Sequence, residues 1–422
     1  MKSLVKKLIQ NVVGGGKTVN SGRVDYFDKY LGFLQEEGLY PEIRCPDGPS
    51  FDPIVKINGK EYLSFSSNNY LGLAGNEEVK TITKSFIDKY GVGSGSTRLL
   101  AGSLDAQIRF EKELADFFGM ADSITFSSGY LANVGVIRML VDPFPYFQLE
   151  KEEQGLILSD RLNHASMIDG VRLAKAKRLK YTHNDMSALR QLLEENKGVS
   201  RKLILTDGVF SMDGDLARLP DIVELAKKYD ALLFVDDSHG VGVLGPHGEG
   251  TPAHLGVAKD IDVLMGSFTK AFGSIGGFVA TKDNIGKYLR ITARSFIFSD
   301  PIPPAIVEGL ITTTRLIKNG SQLRNSATSN AEHLRVGLKK TGFTVHGEVA
   351  TIVPLIIGSE KTAIAFSQKM MERNILAPCI RRPAVEEGKE RIRFSVMANH
   401  SRDQIGRLLS VCKEVGKEVG LI

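Results

Sequence analysis

Between residues 61 and 304 the sequence alternates short apolar segments with segments of helical periodicity. Residues 202–207 (KLILTD) are typical of a buried strand, residues 219–230 place their apolar side chains on one helical face, and residues 231–237 (ALLFVDD) form another apolar run. Strands that alternate with helices in this way predict an α/β fold, in which helices cover both faces of a mostly parallel sheet.

Prolines near residue 300 interrupt this alternation. The sequence SDPIPP (299–304) is followed by a long helical pattern and then by helices that alternate with apolar segments such as TIVPLIIG and RIRFSVMA. We therefore predict an N-terminal segment at 1–60, a large domain at 61–304 and a smaller C-terminal α+β domain at 305–422.

Composition excludes several classes of protein. A hydrophobic content of 42% in 422 residues suits a globular protein, and a formal net charge of +5 is too small for a nucleic-acid binder with a dense basic face. Cys45, Cys379 and Cys412 lack metal-ligand spacing, so we expect no metal site and a reducing, cytoplasmic location. The sequence has no apolar run that could span a bilayer and no cleavable signal pattern, so no stable membrane insertion is expected.

Near the N-terminus, apolar residues recur at helical spacing from Leu4 to Val12, with lysines on the opposite face. This pattern predicts a short amphipathic helix that docks on the protein's own dimer, and contact with a membrane surface is the alternative interpretation. The adjacent sequence GGGKT (14–18) lacks the first glycine of a phosphate loop at the required position, which disfavours nucleotide hydrolysis.

Polar residues directly follow four of the predicted strands. In open parallel sheets, ligands bind beyond the carboxyl ends of the strands, so these residues are candidates for one shared pocket. They are the hydroxyls and glycine of TFSSGY (125–130), Asp207 and Ser211, Asp236 and His239, and Ser267 and Lys270.

Lys270 lies between a strand end and a glycine-rich loop. Loss of hydration in such a place lowers the pKa of a lysine and yields a neutral amine able to form a Schiff base. A strand-end carboxylate and a nearby histidine, Asp236 and His239, suit the protonated ring nitrogen and the phenolic oxygen of one ring, while helix N-terminal amides and hydroxyls suit a phosphate. Pyridoxal 5'-phosphate (PLP) carries all of these groups.

The same residues lie in motifs that resemble those of the α-oxoamine synthases. The motifs are VDDSHGVG, SFTKAFGSIGG, DGVFSMDGD, SDRLNHAS and GSGSTRLLAG, and the resemblance extends from SFSSNNYLGL (64–73) to RIRFSVMANH (391–400). It implies the PLP-dependent transferase fold of type I and a homodimer with active sites at the interface. It also implies a biosynthetic C-acyltransferase that condenses a small amino acid with an acyl-CoA to give an aminoketone, CoA and usually CO₂.

The resemblance implies roles for the residues around the cofactor ring. Lys270 is similar to the lysine that forms the Schiff base with the cofactor and later moves protons at Cα. Asp236 resembles the carboxylate that keeps the pyridine nitrogen protonated, and His239 resembles the residue bonded to the ring oxygen. His164 matches the histidine that stacks on the ring, although outside this motif such a histidine is more often a helix cap or a core residue.

Phosphate binding is implied for residues of three motifs. Ser128, Gly129 and Tyr130 fall where the family binds phosphate, and Ser211 and Ser267 lie at hydroxyl positions of the same site.

The substrate end of the site is expected at two further positions. Asn68 matches a residue that contacts the substrate, and Arg393 resembles the arginine that binds the substrate carboxylate, with Arg391 on the same strand face as the alternative. The chain departs from the family where successive hydroxyls are usual, because Ser299 is followed by Asp300. A phosphate contact across the dimer interface is therefore in doubt.

The motifs do not choose among members of the family. An alanine-using type similar to 8-amino-7-oxononanoate synthase is favoured, ahead of types similar to 2-amino-3-ketobutyrate CoA ligase, serine palmitoyltransferase or 5-aminolevulinate synthase. A PLP aminotransferase or lyase without acyl transfer is an alternative. A non-catalytic binding subunit is another, although it would be expected to have lost Lys270.

Overall fold

The computed structural model of the protein describes residues 23, 25–36, 40, 43–142, 154–382 and 384–422. The amphipathic helix predicted between Leu4 and Val12 lies outside the described residues. The described residues divide into two compact units, one formed by those up to residue 48 and by 56–61, the other by 49–55 and those from residue 62 onward.

In the first unit, the described backbone includes one helix and a local contact. The carboxylate of Asp47 accepts a hydrogen bond from the amide of Gly59 at 2.6 Å, and its own amide donates to the carbonyl of Lys56 at 2.7 Å.

The strands of the described chain are named in sequence order. They are β1 (Ile54–Ile57), β2 (Lys60–Ser64), β3 (Asp122–Phe126), β4 (Leu156–Asp160), β5 (Lys177–Tyr181), β6 (Lys202–Asp207), β7 (Leu232–Asp236), β8 (Val263–Ser267), β9 (Gly277–Thr281), β10 (Ile352–Ile356), β11 (Ile375–Leu376), β12 (Cys379–Ile380) and β13 (Arg391–Ser395).

The α-helices are named in the same way. They are α1 (Asp25–Glu36), α2 (Glu77–Tyr90), α3 (Asp105–Phe118), α4 (Gly129–Val136), α5 (Ala165–Leu173), α6 (Met186–Glu195), α7 (Leu219–Tyr229), α8 (Thr251–His254), α9 (Ile285–Thr292), α10 (Arg294–Ile297), α11 (Pro304–Asn319), α12 (Ser321–Lys340), α13 (Glu360–Glu372) and α14 (Arg402–Glu418). Short 3₁₀ helices span Leu73–Gly75, Ile137–Leu140 and Ala258–Asp260.

A seven-stranded sheet forms the centre of the second unit, in the order β3-β9-β8-β7-β6-β4-β5. Strand β9 is antiparallel to both of its neighbours, and the other neighbouring pairs are parallel. The prediction of a mostly parallel sheet is thus confirmed, and the carboxyl ends of β6, β7 and β8 meet at one edge.

Side chains of the central strands are buried on both faces of the sheet. Along β7, Leu233 and Val235 belong to one apolar cluster and Phe234 belongs to the cluster on the opposite face. Because both faces are covered, the middle residues of these strands are apolar on both sides of the sheet, as Leu203, Ile204 and Leu205 of the KLILTD segment are.

Helix ends follow the local sequence. Helix α3 ends at Gly119, which adopts the left-handed conformation (φ 64°) that glycine tolerates best. Helix α6 begins after Asp185, whose carboxylate accepts hydrogen bonds from the amides of Ser187 and Ala188.

The C-terminal part of the chain contains a smaller sheet, in which β13 pairs antiparallel with β10 and β12. An apolar cluster of its own packs there and includes Leu334, Phe366, Phe394 and Leu408. Strand β11 pairs instead with Leu63 and Ser64 at the end of β2. The boundary between 304 and 305 stays a prediction. Within the described ranges, no helix combines the length and apolarity needed to cross a bilayer.

Candidate active site

A cavity of about 250 Å³ lies at the carboxyl ends of the parallel strands. Its walls include the last residues of three neighbouring strands, Asp207 of β6, Asp236 of β7 and Ser267 of β8. The sequence-predicted residues that line it are Ser128, Gly129, Tyr130, His164, Ser211, Asp236, His239, Ser267 and Lys270.

Asp236 is buried and held on both carboxylate oxygens. Oδ2 accepts a hydrogen bond from Asn133 Nδ2 at 2.7 Å, and Oδ1 accepts from the hydroxyl and the amide of Ser238 at 2.6 and 3.1 Å. These contacts fix the direction of the carboxylate before any ligand binds.

Asp207 lies beside Asp236 in the register of β6 and β7. Among the described residues, its buried Oδ1 has no hydrogen-bond partner. Burial and, after it, the charge of Asp236 raise the pKa of Asp207 well above its usual value. Asp207 is therefore more easily protonated than an exposed aspartate, whereas Asp236 is the carboxylate that Asn133 and Ser238 orient.

Lys270 follows β8 and is half-buried at the wall of the cavity. Its ammonium donates to Thr269 Oγ1 at 3.2 Å. Burial and the positive charge of Arg393 lower the pKa of Lys270, and the charge of Asp236 opposes them in part. A neutral, nucleophilic amine is thus more accessible here than on a lysine in water.

His239 is bonded to a residue that the sequence reasoning did not single out. Its Nδ1 lies 2.7 Å from the hydroxyl of Tyr70, which is fully buried. Burial lowers the pKa of His239 well below its usual value, and the charges of Arg393, Lys270 and His164 lower it further. The imidazole is therefore held in its neutral form.

The start of helix α4 forms an anion cradle, which we define as Ser128, Gly129 and Ser267. Ser128 caps the helix, because its hydroxyl accepts from the amide of Leu131 at 3.1 Å. A Cβ atom on Gly129 would lie 2.8 Å from Met265 Cε and 3.3 Å from Ser267 Cβ. The glycine thus lets the start of the helix pack closely against Ser267, so that backbone amides and the serine hydroxyl meet where a helix N-terminus attracts an anion.

The glycine-rich loop after Lys270 allows the backbone to pack closely behind this cradle. A Cβ on Gly277 would lie 2.6 Å from the Cα of Gly129.

Tyr130, the next residue of the helix, is partly exposed and bonded through its hydroxyl to Asp169.

His164 both caps a helix and lines the cavity. Its Nδ1 accepts from the amide of Ser166 at 3.3 Å and lies 2.7 Å from the hydroxyl of Ser166 at the start of α5. That hydroxyl accepts in turn from Asn133 Nδ2 at 2.8 Å, and Asn133 also holds Asp236. One hydrogen-bonded chain therefore connects His164 to Asp236.

Arg393 and Asn68 lie together beside the cavity. The Nε of Arg393 donates to the carbonyl of Ser211 at 2.6 Å, and its Nη1 donates to Asn68 Oδ1 at 3.3 Å and to Ser395 Oγ at 2.8 Å. Arg391 is held elsewhere, because its Nη1 donates to Asp213 Oδ1 at 2.7 Å.

The departure at Asp300 has a simple geometry. Ser299 Oγ lies 3.1 Å from Ser127 Oγ, one residue before the helix cap, whereas Asp300 is exposed. The hydroxyl, not the carboxylate, is the group that faces the strand end.

The motifs did not identify five further residues of the site. Tyr70 and Asn133 reach His239 and Asp236 from distant parts of the chain. Ser166, Ser238 and Thr269 lie one or two residues from His164, Asp236 and Lys270, which they contact. Tyr70 lies in SFSSNNYLGL, two residues after Asn68, so its motif was a usable signal.

Comparison with known proteins shows the family to which the chain is similar. The family model of the class I and II aminotransferases matches residues 60–411. An 8-amino-7-oxononanoate synthase from Lysinibacillus sphaericus is 42% identical over 398 residues, which cover 94% of this chain and 100% of that protein. The protein of the same name from Treponema denticola is 40% identical over 400 residues, covering 94% of this chain and 98% of that protein.

A solved structure is similar over nearly the same length. A serine palmitoyltransferase from S. paucimobilis with a bound PLP-myriocin aldimine has a TM-score of 0.88 and 29% sequence identity, covering 95% of this chain and 100% of that chain. Because the family model and the relatives extend over most of the sequence, the chain belongs to the class I and II aminotransferase family, as the α-oxoamine synthase motifs indicate.

Proposed function

We propose that the protein is a PLP-dependent C-acyltransferase of the 8-amino-7-oxononanoate synthase type. It condenses a small amino acid with an acyl-CoA to give an aminoketone, CoA and CO₂. The observation that carries the proposal is the convergence of Lys270, Asp236 and His239 on one cavity that also contains the anion cradle.

The residues of the cavity fit pyridoxal phosphate. Asp236 offers a fixed, buried carboxylate for a protonated ring nitrogen. The cradle of Ser128, Gly129 and Ser267 suits a phosphate because hydroxyls line the cavity at a helix N-terminus that glycine lets pack closely against Ser267. The lowered pKa of Lys270 suits a covalent bond to an aldehyde. When bound, the cofactor supplies an electron sink that stabilises negative charge at Cα of the amino acid.

Binding of the amino acid is assigned to Arg393. Its guanidinium presents a planar pair of donors for a carboxylate, and it is oriented by the carbonyl of Ser211 and the amide oxygen of Asn68. This contact holds the substrate so that its Cα faces the groups around the cofactor ring.

Proton transfer at Cα is assigned to Lys270. The lowered pKa of its amine would favour the neutral form, which accepts a proton from Cα. His164, which caps α5 at the cavity wall, is the candidate for packing against the ring and for assisting acyl transfer. Asp236 would hold a protonated ring nitrogen of the cofactor.

The acyl chain follows from the chemistry of the product named for the relatives. In 8-amino-7-oxononanoate, decarboxylated alanine supplies the amino-bearing carbon and the terminal methyl group. The remaining part is a seven-carbon acyl group that ends in a carboxylate. We therefore propose alanine and the CoA thioester of a seven-carbon dicarboxylic acid as the substrates.

Serine with a long-chain acyl-CoA is the second candidate pair. It is favoured by the TM-score of 0.88 with the serine palmitoyltransferase, although that protein is 29% identical whereas the L. sphaericus relative is 42% identical.

The decisive experiment measures release of free CoA thiol from pairs of substrates. Alanine, glycine and serine are each combined with the seven-carbon dicarboxylic acyl-CoA, acetyl-CoA and palmitoyl-CoA, and Lys270→Ala serves as the background. Fastest release with alanine and the seven-carbon thioester supports the proposal. Fastest release with serine and palmitoyl-CoA supports the second candidate, and absence of release with every pair rejects acyl transfer and leaves an aminotransferase or lyase.

A homodimer is proposed because large apolar side chains of the second unit are exposed in the single chain. The most exposed are Val92 and Leu100 at 81% each and Phe298 at 69%, and Phe298 precedes the serine that contacts Ser127. Burial of such side chains between two copies would remove them from water. Sedimentation analysis tests this: Leu100→Asp is expected to weaken the dimer, and a monomeric wild-type protein would reject it.

A further inference from the structure

We propose that Tyr70 is a positioning residue that donates its hydroxyl proton to Nδ1 of His239, so that Nε2 of His239 carries the ring proton offered to the cavity. The inference rests on the proposed function only for its catalytic consequence, because the hydrogen bond itself belongs to the protein alone.

Tyr70 has one hydroxyl proton and two acceptors within reach. Its oxygen lies 2.7 Å from His239 Nδ1 and 3.2 Å from Asn68 Oδ1, and its side chain is fully buried. Because the site has no bulk water around this hydroxyl, the choice between the two acceptors determines which nitrogen of His239 is protonated.

The surroundings favour His239 as the acceptor. Asn68 Oδ1 already accepts from Arg393 Nη1 and Nη2 at 3.3 and 3.4 Å and lies 3.3 Å from the hydroxyl of Ser395. The Tyr70 hydroxyl lies 2.7 Å from His239 Nδ1 and 3.2 Å from Asn68 Oδ1, so the contact to His239 is 0.5 Å shorter. Asn68 Oδ1 thus accepts hydrogen bonds from donors other than Tyr70, whereas Tyr70 is the donor in contact with His239 Nδ1.

His239 is not an imidazolium that donates one proton toward Tyr70 and another toward the cavity. It is half-buried, and its burial together with the nearby cations Arg393 and Lys270 lowers its pKa well below the usual value. A neutral ring has one N–H, so a hydrogen bond accepted at Nδ1 leaves the proton on Nε2. Tyr70 thus gives His239 a donor that suits an anionic oxygen in the cavity.

Tyr70 lies between the residue assigned to the cofactor ring and the residues assigned to the substrate carboxylate. On one side it contacts His239, and on the other it contacts Asn68, which helps to hold the guanidinium of Arg393. Tyr70→Phe removes both contacts of the hydroxyl and its interaction with Arg393, but it leaves the hydrogen bonds between Asn68 and Arg393. The variant is therefore expected to lower kcat about tenfold, the value of one hydrogen bond, with a smaller change in KM for the amino acid.

The first test reads the tautomer of His239 directly. Protein labelled with ¹⁵N-histidine is compared by NMR before and after addition of PLP, and His239→Asn identifies the signals of this ring. We expect an unprotonated Nδ1 and a protonated Nε2 in the wild-type protein. A protonated Nδ1 would overturn the proposal, and this measurement needs neither substrate nor a Tyr70 variant.

The second test compares Tyr70→Phe with Tyr181→Phe. Tyr181 is equally buried, but its hydroxyl contacts the carbonyl of Leu205 at 3.4 Å and does not line the cavity. We expect a mixture of His239 tautomers and a fall in kcat in Tyr70→Phe alone. An unchanged tautomer in Tyr70→Phe contradicts the proposal. If Tyr70→Phe changes the tautomer as expected but the wild-type protein catalyses no acyl transfer, the proposed function is refuted and this inference stands.

Discussion

Arg391 and Arg393 lie two residues apart on β13, but their guanidinium groups have different partners. Arg391 is bonded to the carboxylate of Asp213 at 2.7 Å, whereas Arg393 is bonded to carbonyl, amide and hydroxyl oxygens. Across the described part of the chain, no carboxylate lies within ion-pairing distance of Arg393. Its charge is thus available for a substrate carboxylate.

The first prediction separates the roles of these two arginines. Arg393→Ala is expected to weaken binding of the amino acid by about 2 to 5 kcal/mol, because a desolvated charge pair is lost. Titration of the cofactor absorbance with alanine measures this affinity. In Arg391→Ala we expect a lower melting temperature, since Asp213 loses its partner, and a smaller change in affinity. Equal loss in both variants would mean that the two arginines share the carboxylate.

The second prediction concerns the covalent bond at Lys270. Lys270→Ala is expected to abolish turnover while some cofactor still binds through Asp236 and the anion cradle. Borohydride reduction should fix the cofactor on Lys270 in the wild-type protein, and mass spectrometry of its peptides identifies the modified lysine. Lys282→Ala is the control, because Lys282 lies outside the cavity beside Asp262. Recovery of the modified peptide from a different lysine would refute the assignment.

The third prediction concerns close packing around Gly129 in the anion cradle. In Gly129→Ala the new methyl group would lie 3.3 Å from Ser267 Cβ, within the anion cradle, and 2.8 Å from Met265 Cε beside it. Affinity for PLP is expected to fall about tenfold or more, since a shift of a few tenths of an ångström is needed where the phosphate binds. Gly198→Ala is the control, because no heavy atom lies within 4 Å of a Cβ at that exposed position.

Fluorescence titration of the protein freed of cofactor measures these affinities. An unchanged affinity in Gly129→Ala would place the phosphate away from the start of α4.

The sequence was sufficient to predict the elements that carry the site. The segment KLILTD matches strand β6, and the residues that follow β6, β7 and β8 line one cavity, because parallel strands end at the same edge of a sheet. Element bounds were less accurate: the apolar run 231–237 contains the strand Leu232–Asp236. Strand ends depend on hydrogen bonds to neighbouring strands, which apolar patterning does not encode.

The supporting contacts of the site were not predictable in this way. Asn133 lies 103 positions before Asp236, and Tyr70 lies 169 positions before His239. Both contacts depend on how helices and loops pack over the strand ends. Local patterns identify an amide or a phenol as polar or aromatic, but they do not reveal which distant carboxylate or imidazole it will meet.

His183 gives a prediction about stability and pH. Its Nδ1 lies 3.0 Å from Asp160 Oδ1, and its Nε2 lies 2.8 Å from Asp215 Oδ2. Burial lowers the pKa of His183, but the hydrogen bonds and charges of Asp160 and Asp215 outweigh it and raise the pKa to about 10. The ring is thus an imidazolium between two carboxylates at neutral pH.

A folded-state pKa above the unfolded value of about 6.5 means that the folded protein binds the proton more tightly. The resulting stabilisation is fully present below pH about 6.5, decreases as the pH rises, and is lost once the pH passes about 10. At pH 6 we expect His183→Gln to be less stable than wild type by about 1 to 3 kcal/mol, because the two carboxylates lose their cation.

Denaturant unfolding of both proteins between pH 6 and pH 10 measures this difference in free energy. Subtraction of the two curves removes the contribution of groups that titrate in both proteins, such as Asp237, whose pKa burial raises to about 7. His247→Gln is the control, since His247 is exposed. We expect the difference for His183→Gln to shrink as the pH approaches 10. A difference that stays constant over this range would show that His183 stabilises the protein through packing against Phe210 and not through its charge.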